Sequence, residues 1–171
     1  MVTAYCTGRS VMTERSGEAQ QLERQSHFGA AKEDGRVVLS PFEALFLLET
    51  KRIRVLDGRG RVLSHDALKR RLLRAADMPR YAVFADLRRR GYVVKTALKY
   101  GADFRVYNRG DNPGKQHARW LLYVAREQGQ CDWRTFSAQN RVAHSAKKSM
   151  LFAVVDDEDD ITYWEARWLR P

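Results

Sequence analysis

The stretch Tyr92-Val-Val-Lys-Thr-Ala-Leu-Lys-Tyr-Gly-Ala-Asp-Phe-Arg-Val-Tyr107 decides how the chain folds, because it holds two β-prone runs around one turn. Residues 92–95 and 103–107 are rich in β-branched and aromatic side chains, and Gly101 supplies the turn between them. Upstream, Tyr81, Phe84, Leu87 and Arg88 recur on one helical stripe that stops at Gly91, a residue suited to a left-handed C-terminal cap. Downstream, the turn-rich residues 108–116 lead into a strand over 117–124, in which His117, Arg119, Leu121 and Tyr123 share a face. Residues 135–148 read as a helix, 150–156 as a buried strand and 161–169 as a last alternating strand. The half beginning at Pro79 is therefore a mixed sheet flanked by helices.

Ahead of Pro79 the signals are weaker. Ser40-Pro41-Phe42-Glu43 is a helix start, with Ser40 as cap, Pro41 in the first turn and Glu43 completing a capping box. The helix runs through Glu49 and offers Phe42, Leu45, Phe46 and Leu48 to a core. Ile53 and Val55 then alternate with Arg52 and Arg54 before Asp57-Gly58-Arg59-Gly60 and Val62-Leu63, which predicts a β-hairpin. Ser64 caps a basic helix carrying Leu68, Leu72 and Leu73 to about residue 76. Residues 1–30 are the least readable, with a faint helical rhythm through Ala19, Leu22 and Glu23. Asp77-Met78-Pro79 marks the junction, since proline breaks one pattern and can open the next. The expectation is an α+β chain, with a small mixed α/β N-terminal structural domain over 1–78 and a second domain over 79–171.

Within 171 residues, 31 Lys and Arg face 21 Asp and Glu for a net charge of +10, which favours polyanionic partners and puts nucleic acid first. Apolar residues at 44% are enough for a packed core. The longest nearly uncharged apolar run, 149–155, falls far short of the roughly 20 residues that span a bilayer. Residues 1–10 show no basic segment followed by an apolar run, so a cytoplasmic protein is expected. Cys6 and Cys131 are too few for a disulfide framework, although a single bridge between them stays open.

The chemistry available is narrow. His27, His65, His117 and His144 are scattered, with no CxxC pair or HExxH helix, so neither a metal nor a cofactor is expected. The acidic run Asp156-Asp157-Glu158-Asp159-Asp160 reads as a solvated turn, with Mg2+ attraction as the alternative. What remains is Tyr107 ending a strand, His117 opening the next, and a basic helix ending at Lys147-Lys148. Arg141, Ser145 and Lys148 would lie nearly on one face of that helix, where two cations could grip adjacent phosphates.

These residues carry a resemblance. Residues 92–107 closely resemble the archaeal tRNA-splicing endonucleases, or tRNA-intron lyases, and the similarity continues through Arg88-Arg89-Arg90-Gly91, His117, the 141–148 segment and Asp160-Ile-Thr-Tyr163. Ser40-Pro-Phe-Glu-Ala-Leu45 and His27-Phe-Gly29 resemble the smaller N-terminal domain of that family more loosely. The resemblance implies a C-terminal nuclease domain acting on precursor tRNA at bulge-helix-bulge sites, without a metal, through a tyrosine, histidine and lysine set that corresponds to Tyr107, His117 and Lys148. It implies 2′-hydroxyl attack giving a 2′,3′-cyclic phosphate and a 5′-hydroxyl. Arg141 corresponds to the cation that stacks on a bulged base, with Arg167 or Trp164 as partner. The resemblance further implies a four-subunit assembly. The loop 126–132 has only two acids where homotetramers have an acidic docking loop, so a heterotetramer with a second structural subunit is favoured over a homotetramer. The aromatics Tyr163, Trp164 and Trp168 suit such an interface or simple core packing. The alternative is a non-catalytic RNA-binding subunit of the same assembly.

Overall fold

The computed structural model describes residues 1–169; the last two residues of the expected C-terminal domain, 170 and 171, lie outside it. The fold is α+β, with two five-stranded sheets in two compact units, Met1–Met78 and Pro79–Pro171.

The N-terminal unit runs β1 (Val2–Thr7), β2 (Ser10–Thr13), α1 (Gly17–Arg24), β3 (Ala30–Ala31), β4 (Val37–Leu39), α2 (Pro41–Glu49), β5 (Ile53–Leu56) and α3 (His65–Leu72). Its strand order is β3-β4-β2-β1-β5, antiparallel except for the parallel pair β1/β5. The hairpin expected after β5 is therefore reduced. The turn forms and Leu63 N donates to Val55 O at 2.8 Å, but Val62 makes only an isolated bridge to Leu56, while the ladder of β5 runs with β1 from Val2↔Ile53 to Tyr5↔Leu56. The turn is held by Asp57, 7% exposed, which accepts from the N–H groups of Arg59 and Arg61 and from Arg61 Nε. These donors, the Arg61 N–H foremost, lower its pKa from an ordinary 3.8 to about 2.

The capping box of α2 forms as read: Ser40 Oγ accepts from Glu43 N, and Glu43 Oε2 accepts from Ser40 N at 2.9 Å. Glu43, 6% exposed, also accepts from Gly29 N at 2.8 Å. Gly29 has φ +72°, and a Cβ there would stand 2.5 Å from Val37 Cγ1 and 2.6 Å from Val38 O, so only glycine fits. Residues 43–47 are buried consecutively, so Ala44 and Leu47 join the core alongside Leu45 and Phe46, while Phe42 and Leu48 are half-buried. The α3 helix ends at Leu72, because Leu73 turns extended.

The C-terminal unit follows α4 (Met78–Arg89), whose first residue marks the junction, with β6 (Val93–Ala97), β7 (Ala102–Tyr107), β8 (Trp120–Arg126), α5 (Trp133–Ser145), β9 (Ser149–Val155) and β10 (Ile161–Ala166). The order β10-β9-β8-β7-β6 is antiparallel except for β8/β9, which are parallel because α5 crosses over between them. Ala143 of α5 packs with Leu121, Tyr123 and Met150 in one core cluster. Gly91 and Gly101 both take positive φ, as the sequence reading requires. Tyr163 of β10 donates to Asp86 of α4 at 2.7 Å, and Asp86 also binds Arg90. The acidic run forms the β9–β10 turn, in which Asp156 accepts from Glu158 N and Asp160 N.

Three boundaries differ from the sequence reading. The strand expected from His117 starts at Trp120, α5 ends at Ser145 before the two lysines, and the last strand stops at Ala166. Cys6 is buried and Cys131 exposed, and both are free thiols rather than a bridge. Among the described residues no helix is long and apolar enough to cross a membrane.

Candidate active site

Sheet pairing brings three distant segments to one edge of the C-terminal unit. Val106 pairs with Trp120, and Arg119 N donates to Val106 O at 2.9 Å. Trp120 in turn pairs with Ser149, and Ser149 N donates to Arg119 O at 3.1 Å. The end of β7 and the starts of β8 and β9 therefore lie side by side. Tyr107, Arg119 and Lys148 occupy neighbouring positions there. Tyr107 is only 3% exposed and packs with Val93 and Ala118. His117 is exposed, in the segment leading into β8.

The two lysines are set by the way α5 ends. Asp132 starts the helix by accepting from Thr135 N at 2.9 Å. At the other end Lys147 N donates to His144 O and Lys148 N donates to Ala143 O, both at 2.9 Å, with Lys147 at φ +55°. This is the Schellman pattern, whose left-handed position is usually glycine; a side chain there costs about 1 kcal/mol. The turn sends Lys148 off the helix axis. Arg141, Ser145 and Lys148 therefore do not form one helical face, and the expected grip splits in two.

Arg141 and Ser145 do share a face, and with Tyr100 and Ala138 they line a cavity of about 530 Å³. Lys148 Nζ donates to Ala146 O at 2.8 Å and lies 5.8 Å from the centre of the Tyr100 ring, within cation–π range. Lys148 also lines a second cavity of about 760 Å³ with Arg119, Lys147 and Arg167, where His144 stacks on Trp168. Glu165 serves two of those cations: Arg167 Nε donates to it at 2.9 Å, and Arg119 Nη2 is 3.9 Å away. The Arg167 hydrogen bond is the main reason the Glu165 carboxyl is held below its usual range.

Of the residues expected from sequence, Lys148 and Arg167 share one cavity and Arg141 occupies the next, with Ser145 lining both. Trp164 enters neither; it stands 65% exposed on β10, paired with Phe152. The sequence reading offers Lys147 with Lys148 as the end of the basic helix and does not offer Arg119 as a ligand group. The signal for Arg119 was its strand-face alternation with Leu121, whereas a left-handed lysine leaves no trace in sequence. Among the described residues no cluster of three or more His, Cys, Asp or Glu side chains is arranged to hold a metal ion.

Comparison with known proteins matches both units. The tRNA intron endonuclease catalytic C-terminal domain matches residues 78–163, and the tRNA intron endonuclease N-terminal domain matches residues 2–69. The chain is 40% identical over 154 residues to the tRNA-splicing endonuclease of Methanothermobacter thermautotrophicus, covering 90% of this chain and 89% of the relative. It is 38% identical over 166 residues to that of Thermococcus onnurineus, covering 96% and 94%, and 36% identical over 171 residues to that of Pyrococcus furiosus, covering 99% and 98%. Both halves thus point to an endonuclease. The chain belongs to the tRNA intron endonuclease family.

Proposed function

We propose that the chain is the catalytic subunit of a tRNA-splicing endonuclease that removes introns from precursor tRNA at bulge-helix-bulge sites in the cytoplasm, with residues 79–171 as the catalytic domain and 1–78 as a structural one. RNA carries its own nucleophile. The enzyme has to align the 2′-hydroxyl, take its proton, protonate the departing 5′-oxygen and stabilise charge on the phosphorus. Tyr107 aligns the 2′-hydroxyl or accepts its proton, His117 protonates the leaving oxygen, and Lys148 stabilises the negative transition state. The products are a 2′,3′-cyclic phosphate and a 5′-hydroxyl. Arg141, in its cavity beside Tyr100, receives a bulged base, with Arg167 or Trp164 as the partner cation or ring.

The observation that carries this reading is the adjacency of the β7 end and the β8 and β9 starts, which gathers the Tyr107, His117 and Lys148 segments from separate stretches of sequence. The test is cleavage of an intron-containing precursor tRNA in EDTA, with end-group analysis. Cyclic-phosphate ends, and a rate about 10²- to 10⁴-fold lower in His117→Ala with RNA binding retained, are the expected results. A His117→Ala rate near wild type removes that histidine from the chemistry.

A second, structural chain completes a heterotetramer in this reading. In the loop after β8, Asp132 is taken up as the cap of α5, which leaves Glu127 as the acid free of that duty. Light scattering of the purified chain, alone and mixed with a candidate partner, separates this assembly from a homotetramer.

A further inference from the structure

The cavity bounded by Arg119, Lys147 and Arg167 has a composition that the three-residue chemistry does not use. Four cations including Lys148 line it, at the cost of mutual repulsion. The carboxylate that offsets them, Glu165, is shared by Arg119 and Arg167. Among the described residues no carboxylate lies within ion-pair distance of Lys147, which nevertheless sits in a backbone conformation that lysine adopts at a cost. A helix end alone would favour glycine here. Lysine instead adds a positive charge to the lining of this cavity next to Lys148.

We propose that this cavity is a second phosphate subsite, taking an RNA backbone phosphate next to the one Lys148 addresses, with Lys147 as its direct contact and Glu165 holding the two guanidinium groups in place until the RNA arrives. The guanidinium fork suits a phosphate's paired oxygens, and the ammonium adds a point charge. The proposal rests on the RNA-cleavage reading above but concerns binding, so its test is read in binding.

The molecule contains its own control. Lys51 ends α2 in the same way: φ is +56°, Lys51 N donates to Leu48 O and Arg52 N donates to Leu47 O. Lys51→Gly and Lys147→Gly remove the same charge and relieve the same backbone conformation. Both should melt at a higher temperature than wild type. Binding of a bulged RNA carrying a 2′-deoxy residue at the cleavage site is then measured in EDTA over a range of salt concentrations. Lys147→Gly should lower the slope of log affinity against log salt by about 0.7, equivalent to about fivefold weaker binding at 0.1 M salt, while Lys51→Gly keeps the wild-type slope. Lys147→Asn, a residue that tolerates positive φ, should lower the slope as Lys147→Gly does. A wild-type slope in both Lys147 variants, or an equal loss in Lys51→Gly, overturns the subsite. Failure of the wild-type chain to cleave the all-ribose RNA in EDTA, both alone and with the candidate partner subunit, would instead sink the cleavage reading, and the slope would still decide the subsite.

Discussion

In the N-terminal unit the buried carboxylates of Glu43 and Asp57 are surrounded by N–H donors. In the C-terminal unit Arg119, Lys147, Lys148 and Arg167 line an open cavity, with one carboxylate serving two of them. The difference separates two uses of charge. A carboxylate whose lone pairs are filled by its own loops fixes a turn or a helix start. A group of cations with too few partners is electrostatically incomplete without a polyanion.

Variants at the two places should therefore fail in different assays, the largest effect lying in the cavity. Lys148→Ala should reduce single-turnover cleavage about 10²- to 10³-fold, with a melting temperature close to wild type. A large loss of stability there would break the contrast. Gly29→Ala should cost about 3 kcal/mol in urea unfolding, from the overlap with Val37 and Val38 and the positive φ. Glu43→Gln should cost about 2 kcal/mol in the same measurement, because an amide presents N–H toward either Gly29 N or Ser40 N.

A contrast that is fully developed near neutral pH and erased in acid belongs to Asp57. Its folded pKa is about 2 against an ordinary 3.8, so its stabilisation is fully present above about 4 and is lost as the pH falls towards 2. The melting temperatures of Asp57→Asn and wild type should therefore converge as the pH falls from 5 to 2. A constant gap would show that the turn does not depend on the ionised carboxylate.

Local patterns made much of this fold legible. The β6–β7 pair, with Gly101 between, followed from alternation and one turn residue, and α2 followed from Ser40, Pro41 and Glu43. Long-range pairing was not legible. β1 and β2 carry no strong alternation, and nothing near Ile53 shows that its partner is Val2 rather than the Val62-Leu63 return. The same limit applies at the candidate site. Tyr107, His117, Lys148 and Arg141 came from local motifs, whereas the cavity that joins Arg119 to Lys147 and Arg167 depends on strand order. The strand expected at His117 and the helix expected through Lys148 both stop short, the latter because Lys147 adopts a conformation usually reserved for glycine.

The division into two units has an optical consequence. All four tryptophans, Trp120, Trp133, Trp164 and Trp168, fall after Pro79, so indole emission excited at the red edge registers only the second unit. Far-ultraviolet dichroism registers both backbones. Denaturation curves recorded by the two signals will superimpose if the halves come apart together and separate if either opens first.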